Sequence, residues 1–295
     1  MAENPQNRPG ARAGMGERKP VADEATMQKL RDFLSAERDL PTTPVRMRYL
    51  ILSQARTGGT FLCEALERSG HAGLPFEYLN PASIKFLNTR LGGGTTVSLQ
   101  RIMTALEARR TGANGVFGLQ LHVEQLMKPL QSIGQVGRWL QRFHRIVMLY
   151  RRDKLAQAIS LERSIQSSVW HQEPHETGKR NPDRWTVDPW IIARHVANLG
   201  QQEQLIRGAL ASFNGPVLVL TYEELDTSFD TVWQRVSEFL DVPAMPAASV
   251  YPKLARMRDA ASEEMAARFL AALRDSDLAQ DPAFATLAAT GKPAG

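Results

Sequence analysis

A single cysteine, Cys63, leaves this chain of 295 residues without any internal disulfide and fits a reducing compartment. No stretch holds about 18 or more uninterrupted apolar residues, so no membrane span is expected. The opening MAENPQNRPGARAGMGERKP has no hydrophobic stretch of the kind a secretory signal needs, and Glu3 and Glu17 interrupt the acid-poor pattern of a mitochondrial presequence. A cytoplasmic protein is the expectation. The six histidines and the one cysteine show no ligand spacing, so no metal site is expected either. A continuous basic stripe is also missing. The net charge of +5 is carried largely by arginine, but the clusters ARR (108–110) and YRRDK (150–154) are short and scattered. That pattern argues against nucleic acid as a partner and for a small polyanion, whose oxygens arginine grips bidentately. Arginine usage also follows genome composition, which would explain the excess without any ligand.

What is present suffices for one large core, since 43% of the residues are hydrophobic. Residues 1–24 are rich in Gly, Pro and charge without apolar periodicity, and are expected to be a disordered tail. From Ala25, ATMQKLRDFLSAE spaces Met27, Leu30, Phe33 and Leu34 as one helix face. PVRMRYLILS reads as the first strand, followed by a helix over 60–69, a two-proline loop GLPFEYLNP (73–81), a Gly-rich turn at 92–94 and a helix over 98–110. GVFGLQLH (115–122) and HRIVMLYRR (144–152) read as strands, with helical pieces between them. A helix is expected over 153–168 and a long one over 188–213. PVLVLTYEEL (216–225) reads as the clearest buried strand, with another helix, TVWQRVSEFLDV, behind it. Strands alternating with helices of ten or more residues predict a parallel α/β sheet flanked by helices, and residues 25–295 are read as a single domain. The segment 170–187 has no core pattern and is expected to cover a site or an interface.

The stretch LILSQARTGGTFLCEAL (50–66) carries the most chemistry. A strand runs through a small-residue turn into a helix, so backbone N–H groups and the positive end of the helix dipole converge on the turn. Thr57 and Thr60 add hydroxyls, Gly58 and Gly59 allow close approach, and Arg56 adds a permanently charged fork. The turn lacks the Gly-x-x-x-x-Gly-Lys-Ser/Thr of nucleotide kinases, whose lysine reaches the β/γ-phosphates and whose hydroxyl holds Mg²⁺. A single phosphate or a phosphosulfate fits this shorter loop; so does the alternative of an ordinary tight strand-to-helix turn. A second piece, YRRDKLAQAISLERS, places Arg152 at a strand end and Ser160 eight residues on, where the two can share one phosphate. The alternative is a strand-end arginine in solvent. A third piece, TYEEL (221–225), marks another carboxyl end on the sheet edge where open α/β folds bind ligands.

Together these pieces resemble the sulfotransferases that use 3′-phosphoadenosine-5′-phosphosulfate (PAPS). SQARTGGTFLCEALERSGHAGLPFEYLNP is similar to the start of the bacterial trehalose 2-sulfotransferase type, which begins Ser-Gln-Arg-Ser-Gly-Ser-Thr and continues through a helix into a Gly-x-Pro-x-Glu-aromatic loop. Arg56 and Glu77, 21 residues apart, match that pattern, and the likeness extends more loosely over residues 48–270. Ala55 stands as an extra residue between Gln54 and Arg56, a bulge that shifts Ser53 and Gln54, so no role is expected of those two.

The resemblance implies a P-loop-like three-layer sandwich with a central parallel β-sheet, and PAPS as co-substrate without a metal. Arg56, Thr57, Gly58, Gly59 and Thr60 would hold its 5′ end. Arg152 and Ser160 would hold the 3′-phosphate, and Glu77 would be the general base. The acceptor implied is a hydroxyl of a carbohydrate or glycolipid, trehalose among them, and the enzyme implied is a homodimer. Read without the resemblance, Glu77 is more readily a loop glutamate in a surface salt bridge. His122, at a strand end, is the competing base or an acceptor contact; His71, His171 and His175 have no local partner. Tyr78 is a candidate for the acceptor pocket. Trp170, with His171 and Trp185, is a candidate sugar platform or an anchor for its segment. Glu64 reads as solvated and Cys63 as packed core. The readings from other classes are a small-molecule kinase using ATP, which would want the missing lysine, and a non-catalytic nucleotide-binding protein on the same fold.

Overall fold

Four segments dense in Val, Ile and Leu form strands: β1 (Met47–Ser53), β2 (Val116–His122), β3 (Arg145–Tyr150) and β4 (Val217–Thr221). The computed structural model describes residues 24–92, 97–167, 170, 187–253, 260–281 and 284–290. The tail read as disordered lies outside the described residues except for Glu24, and so do His171, His175 and Trp185. Helix α1 (Glu24–Leu34) precedes β1, and α2 (Gly59–Arg68), α3 (Pro81–Arg90) and α4 (Leu99–Arg110) lead from β1 to β2. Then α5 (Val123–Leu130) and α6 (Ile133–Leu140) lead to β3, and α7 (Lys154–Ser167) and α8 (Pro189–Leu210) to β4. Helices α9 (Tyr222–Thr227), α10 (Phe229–Leu240), α11 (Ala247–Val250), α12 (Ala260–Arg274) and α13 (Ala285–Thr290) follow.

The strands form one parallel sheet in the order β2-β1-β3-β4. Successive side chains of a strand face opposite sides, and each side here meets its own helical layer. Leu50 and Leu52 of β1, with Phe117, Leu119 and Leu121 of β2, pack under helices that include α4, α5 and α6. Tyr49 and Ile51 point the other way, onto Leu62 and Leu66 of α2 and Val232, Trp233 and Val236 of α10. The result is the three-layer α/β sandwich with a central parallel sheet that the alternation of strands and helices predicts. Burying a leucine such as Leu62 or Leu66 stabilises by about 1.5–3 kcal/mol, so these two side chains hold α2, and with it the turn before it, against β1. A third apolar cluster joins α7, α8 and α12 through Ile159, Ile192, Phe269 and Leu273.

Three expectations change. The segment 216–225 is not one buried strand: β4 is the outermost strand, with Val217 and Val219 exposed, and it ends at Thr221. There the Thr221 hydroxyl accepts from Glu224 N at 3.1 Å and Glu224 accepts in return from Thr221, so YEEL turns into α9. Helix α3 fills the stretch between the expected loop and turn, to which the sequence pattern assigns no element; it has Pro81 in its first turn and is capped by Asn80, whose side chain accepts from Ser83 N at 2.8 Å. β3 ends at Tyr150, so Arg151 and Arg152 lie beyond it. No helix among the described residues is long and apolar enough to cross a membrane.

Candidate active site

Because all four strands run parallel, their carboxyl ends share one edge of the sheet. The register sets Ser53 opposite both His122 and Leu149, and Tyr150 opposite Thr221. The turn after β1 opens at the middle of that edge. Arg56 has φ 65° and Gly58 φ 85°, two left-handed residues that reverse the chain within the turn. Gln54 is buried, not displaced to the outside. Its carbonyl accepts from the Thr57 hydroxyl at 2.8 Å, its amide donates to Leu199 O on α8, and its Oε1 accepts from Lys154 Nζ at 3.2 Å. The extra residue, Ala55, is absorbed here: its carbonyl accepts from the buried Gln157 amide at 2.7 Å. Thr57 therefore spends its hydroxyl inside the turn, so that its N–H is what it can offer a ligand.

Gly58 is the first residue of the cap of α2, and no side chain caps that end. The first-turn N–H groups of a helix lack intrahelical partners, and here Gly58, Gly59 and Thr60 present them at the mouth of the turn. A Cβ at Gly59 would collide with the buried carboxamide of Gln120, and one at Gly58 would come within 3.3 Å of Leu225 Cδ1. Arg56 lies over this mouth, donating from Nε to Ser160 Oγ at 3.0 Å and from Nη1 to Trp170 O at 2.7 Å. Glycines with uncapped N–H groups, one hydroxyl and a guanidinium make a donor set suited to the oxygens of a phosphate or a phosphosulfate.

Glu77 reaches the same edge from outside β2. Its loop is laid along that strand by Gln120 N donating to Phe76 O at 3.0 Å. The Glu77 side chain is 23% exposed; Oε1 accepts from Gln125 Nε2 at 2.6 Å and lies 3.8 Å from His122 Nδ1. Gln125 Oε1 in turn accepts from His122 N at 3.1 Å. Glu77 and His122 thus stand together, one strand over from Arg56. Beneath them Cys63 donates to Gln120 Oε1 at 3.3 Å. Burial pushes its thiol well above the usual range and the nearby Glu77 carboxylate adds to the rise, so it stays a packed thiol.

Other expected residues are placed elsewhere. Tyr78 does not face the cleft: its ring is fully buried against Phe33 and Phe76 and its hydroxyl donates to Leu74 O at 2.6 Å, in a turn where its N–H bonds back to Phe76 O at 3.0 Å. Arg152 and Ser160 make no contact with each other. Arg152 turns outward, its side chain 65% exposed with Nε 3.7 Å from Glu223 Oε2, while Ser160 accepts from Arg56. The buried member of the arginine pair is Arg151, stacked over Tyr222 at 4.3 Å. Trp170 meets the site through its backbone carbonyl. Glu64, read as solvated, caps Lys253 N at 2.8 Å. Sequence reasoning missed Gln120, Gln125, Lys154 and Gln157. For Gln125 there was a local signal, a Gln three residues beyond a strand-ending His in the manner of a capping box; for the others the partners are distant in sequence. Among the described residues no group of three His, Cys, Asp or Glu could hold a metal ion.

The sheet thus carries an uncapped glycine turn with an arginine after one strand and a loop carboxylate beside the end of the next. The model of the Stf0 sulphotransferase family matches residues 48–272, and the chain belongs to that family and is an enzyme of the sulfotransferase class. Trehalose 2-sulfotransferase of Mycobacterium tuberculosis (strain ATCC 35801 / TMC 107 / Erdman) is 25% identical over 261 residues, covering 76% of this chain and 94% of that protein. Mouse sulfotransferase SULT7A1 complexed with PAP superposes with a TM-score of 0.32 at 13% identity, covering 84% of this chain and 72% of that one.

Proposed function

We propose that the enzyme moves a sulfuryl group from PAPS to a hydroxyl of a carbohydrate or glycolipid. The observation that carries this reading is Glu77, a part-exposed carboxylate beside His122, standing at the strand end next to the uncapped turn that bears Arg56. PAPS supplies the sulfuryl group: its S–O bond to the 5′-phosphate breaks as a bond from sulfur to the acceptor oxygen forms, leaving adenosine 3′,5′-bisphosphate. The N–H groups of residues 57–60 hold the 5′ end, and Arg56 offsets charge gathering on the bridging oxygen. Arg152, exposed just beyond the end of β3, and Ser160 take the 3′-phosphate, which bridges two side chains that do not touch each other without it. Glu77 accepts the proton that the acceptor hydroxyl gives up, a contribution of about 10²–10⁴-fold for a well-placed base. The trehalose 2-sulfotransferase relative makes trehalose the first acceptor to test. The proposal takes residues 25–295 as one domain and the working unit as a cytoplasmic homodimer, the latter checked by sedimentation.

A thermal melt decides the donor. Adenosine 3′,5′-bisphosphate at about 100 times its dissociation constant should stabilise by about 2.7 kcal/mol, with AMP and Mg-ATP giving far less. A shift with Mg-ATP alone would establish the kinase reading instead. Turnover of PAPS with trehalose then tests the transfer, and Glu77→Gln should lower kcat by about 10²-fold or more while bisphosphate binding persists; near-parental turnover would move the base to His122.

A further inference from the structure

Gln125 occupies the third position of α5, where a Gln or Glu commonly reaches back to the N–H at the helix cap, and either side chain serves equally in that role. Here Oε1 does so, accepting from His122 N at 3.1 Å. The same carboxamide has a second engagement that a glutamate could not make: Nε2 donates to Glu77 Oε1 at 2.6 Å. A carboxylate at 125 would keep the cap and set a second negative charge against Glu77. The other oxygen of Glu77, Oε2, has no hydrogen-bond partner among the described residues, and the side chain is part-exposed. The geometry points to Gln125 as the positioning residue of the sulfuryl-transfer base: it pins one carboxylate oxygen of Glu77 to the end of β2 and leaves the other to receive the acceptor's proton. This rests on the reading of Glu77 as that base.

The other groups around Glu77 give no equivalent hold. His122 Nδ1 is 3.8 Å from Oε1, beyond a hydrogen bond, and is also 3.9 Å from Glu124 Oε1. Cys63, on α2 beneath, has its thiol turned to Gln120. The Gln125 amide is therefore the one hydrogen-bond donor that reaches the Glu77 carboxylate from the described residues, and a donor favours the ionised form while a neighbouring carboxylate opposes it.

The informative variant is Gln125→Glu, because it keeps the helix cap. Its melting temperature at neutral pH should fall modestly, because the new charge opposes ionised Glu77, and should return toward the parent's as the pH is lowered. In turnover of PAPS with trehalose its KM for PAPS should be unchanged and its kcat about tenfold lower, with the acid limb of the kcat profile displaced upward by about one pH unit. The sign follows from the loss of a donor and the gain of a like charge, both of which hold the proton on Glu77 to higher pH. Gln125→Met, which loses cap and donor together, should be less stable and show a displacement in the same direction. A readout free of turnover is carbon-13 NMR of the Glu77 carboxyl, identified by its absence in Glu77→Gln, whose titration midpoint should rise in both Gln125 variants. A Gln125→Glu enzyme with parental kcat, pH profile and Glu77 midpoint would reduce Gln125 to a helix cap and overturn the inference. Failure of the underlying reading looks different: Glu77→Gln would turn over normally while the carboxyl midpoint still moved in the Gln125 variants.

Discussion

Arg56 is held at φ 65°, where an L-residue pays a steric penalty that glycine escapes. Comparing Arg56→Gly with Arg56→Ala isolates that penalty. Both variants lose the side chain and its bonds to Ser160 and Trp170, so those losses cancel in the difference. The left-handed conformation costs a residue with a Cβ about 1–2 kcal/mol, whereas glycine's extra freedom in the unfolded chain costs about 0.4–1 kcal/mol. The net expectation is that Arg56→Gly exceeds Arg56→Ala in stability by about 0.5–1 kcal/mol. At an ordinary helix or strand position the order would be reversed. For a chain of this size the difference corresponds to about 1–4 °C in melting temperature, readable by calorimetry on the two variants side by side. Both should lose about 10²-fold or more in kcat, as removal of a charge-stabilising donor does. An alanine variant as stable as the glycine one would refute the left-handed turn at 56, and retained turnover in either would remove Arg56 from the chemistry.

A similar collision argument applies at Gly118, where a Cβ would strike the ring and hydroxyl of the fully buried Tyr49. Gly118→Ala should therefore destabilise by about 1–3 kcal/mol, and adding Tyr49→Leu should recover part of that loss in a double-mutant cycle; simple additivity would count against the clash. Cys63, buried and with its thiol pushed up, should resist alkylation by iodoacetamide at pH 8 in the native protein and react once denatured. Rapid labelling of the folded enzyme would contradict that placement.

Much of this was legible in the sequence where the determinants are local. The strand, the glycines and the helix after them are contiguous, so the turn after β1 could be read directly, and the alternation of strands and helices was enough for a parallel sheet. That Arg152 and Ser160 do not touch each other is something spacing cannot carry. The strand stops at Tyr150, Arg151 tucks over Tyr222, and the next side chain is thereby sent outward. Tyr78 is adjacent to Glu77, but its ring turns into the Phe33–Phe76 cluster, which lies far off in sequence at Phe33. The glutamines that set the turn and the base, Gln157 and Gln125, meet partners far along the sequence, at Ala55 and Glu77. For the buried Gln157 amide nothing local marks such a partner, and for Gln125 the helix cap could be read but not the bond to Glu77.

The outer strand β4 has a consequence for how copies of the enzyme can meet. Its exposed valines and unpaired rim would invite an incoming strand, but Arg235 stands in the way. Nη2 donates to Val219 O at 3.3 Å while Nη1 holds Glu224 at 2.8 Å, and Glu224 fastens the first turn of α9 through Thr221. A visitor claiming that carbonyl must dislodge Arg235 and slacken the turn that carries Tyr222, the ring over which the buried Arg151 is stacked. Strand addition along this rim would therefore loosen the start of α9 as well as displace Arg235.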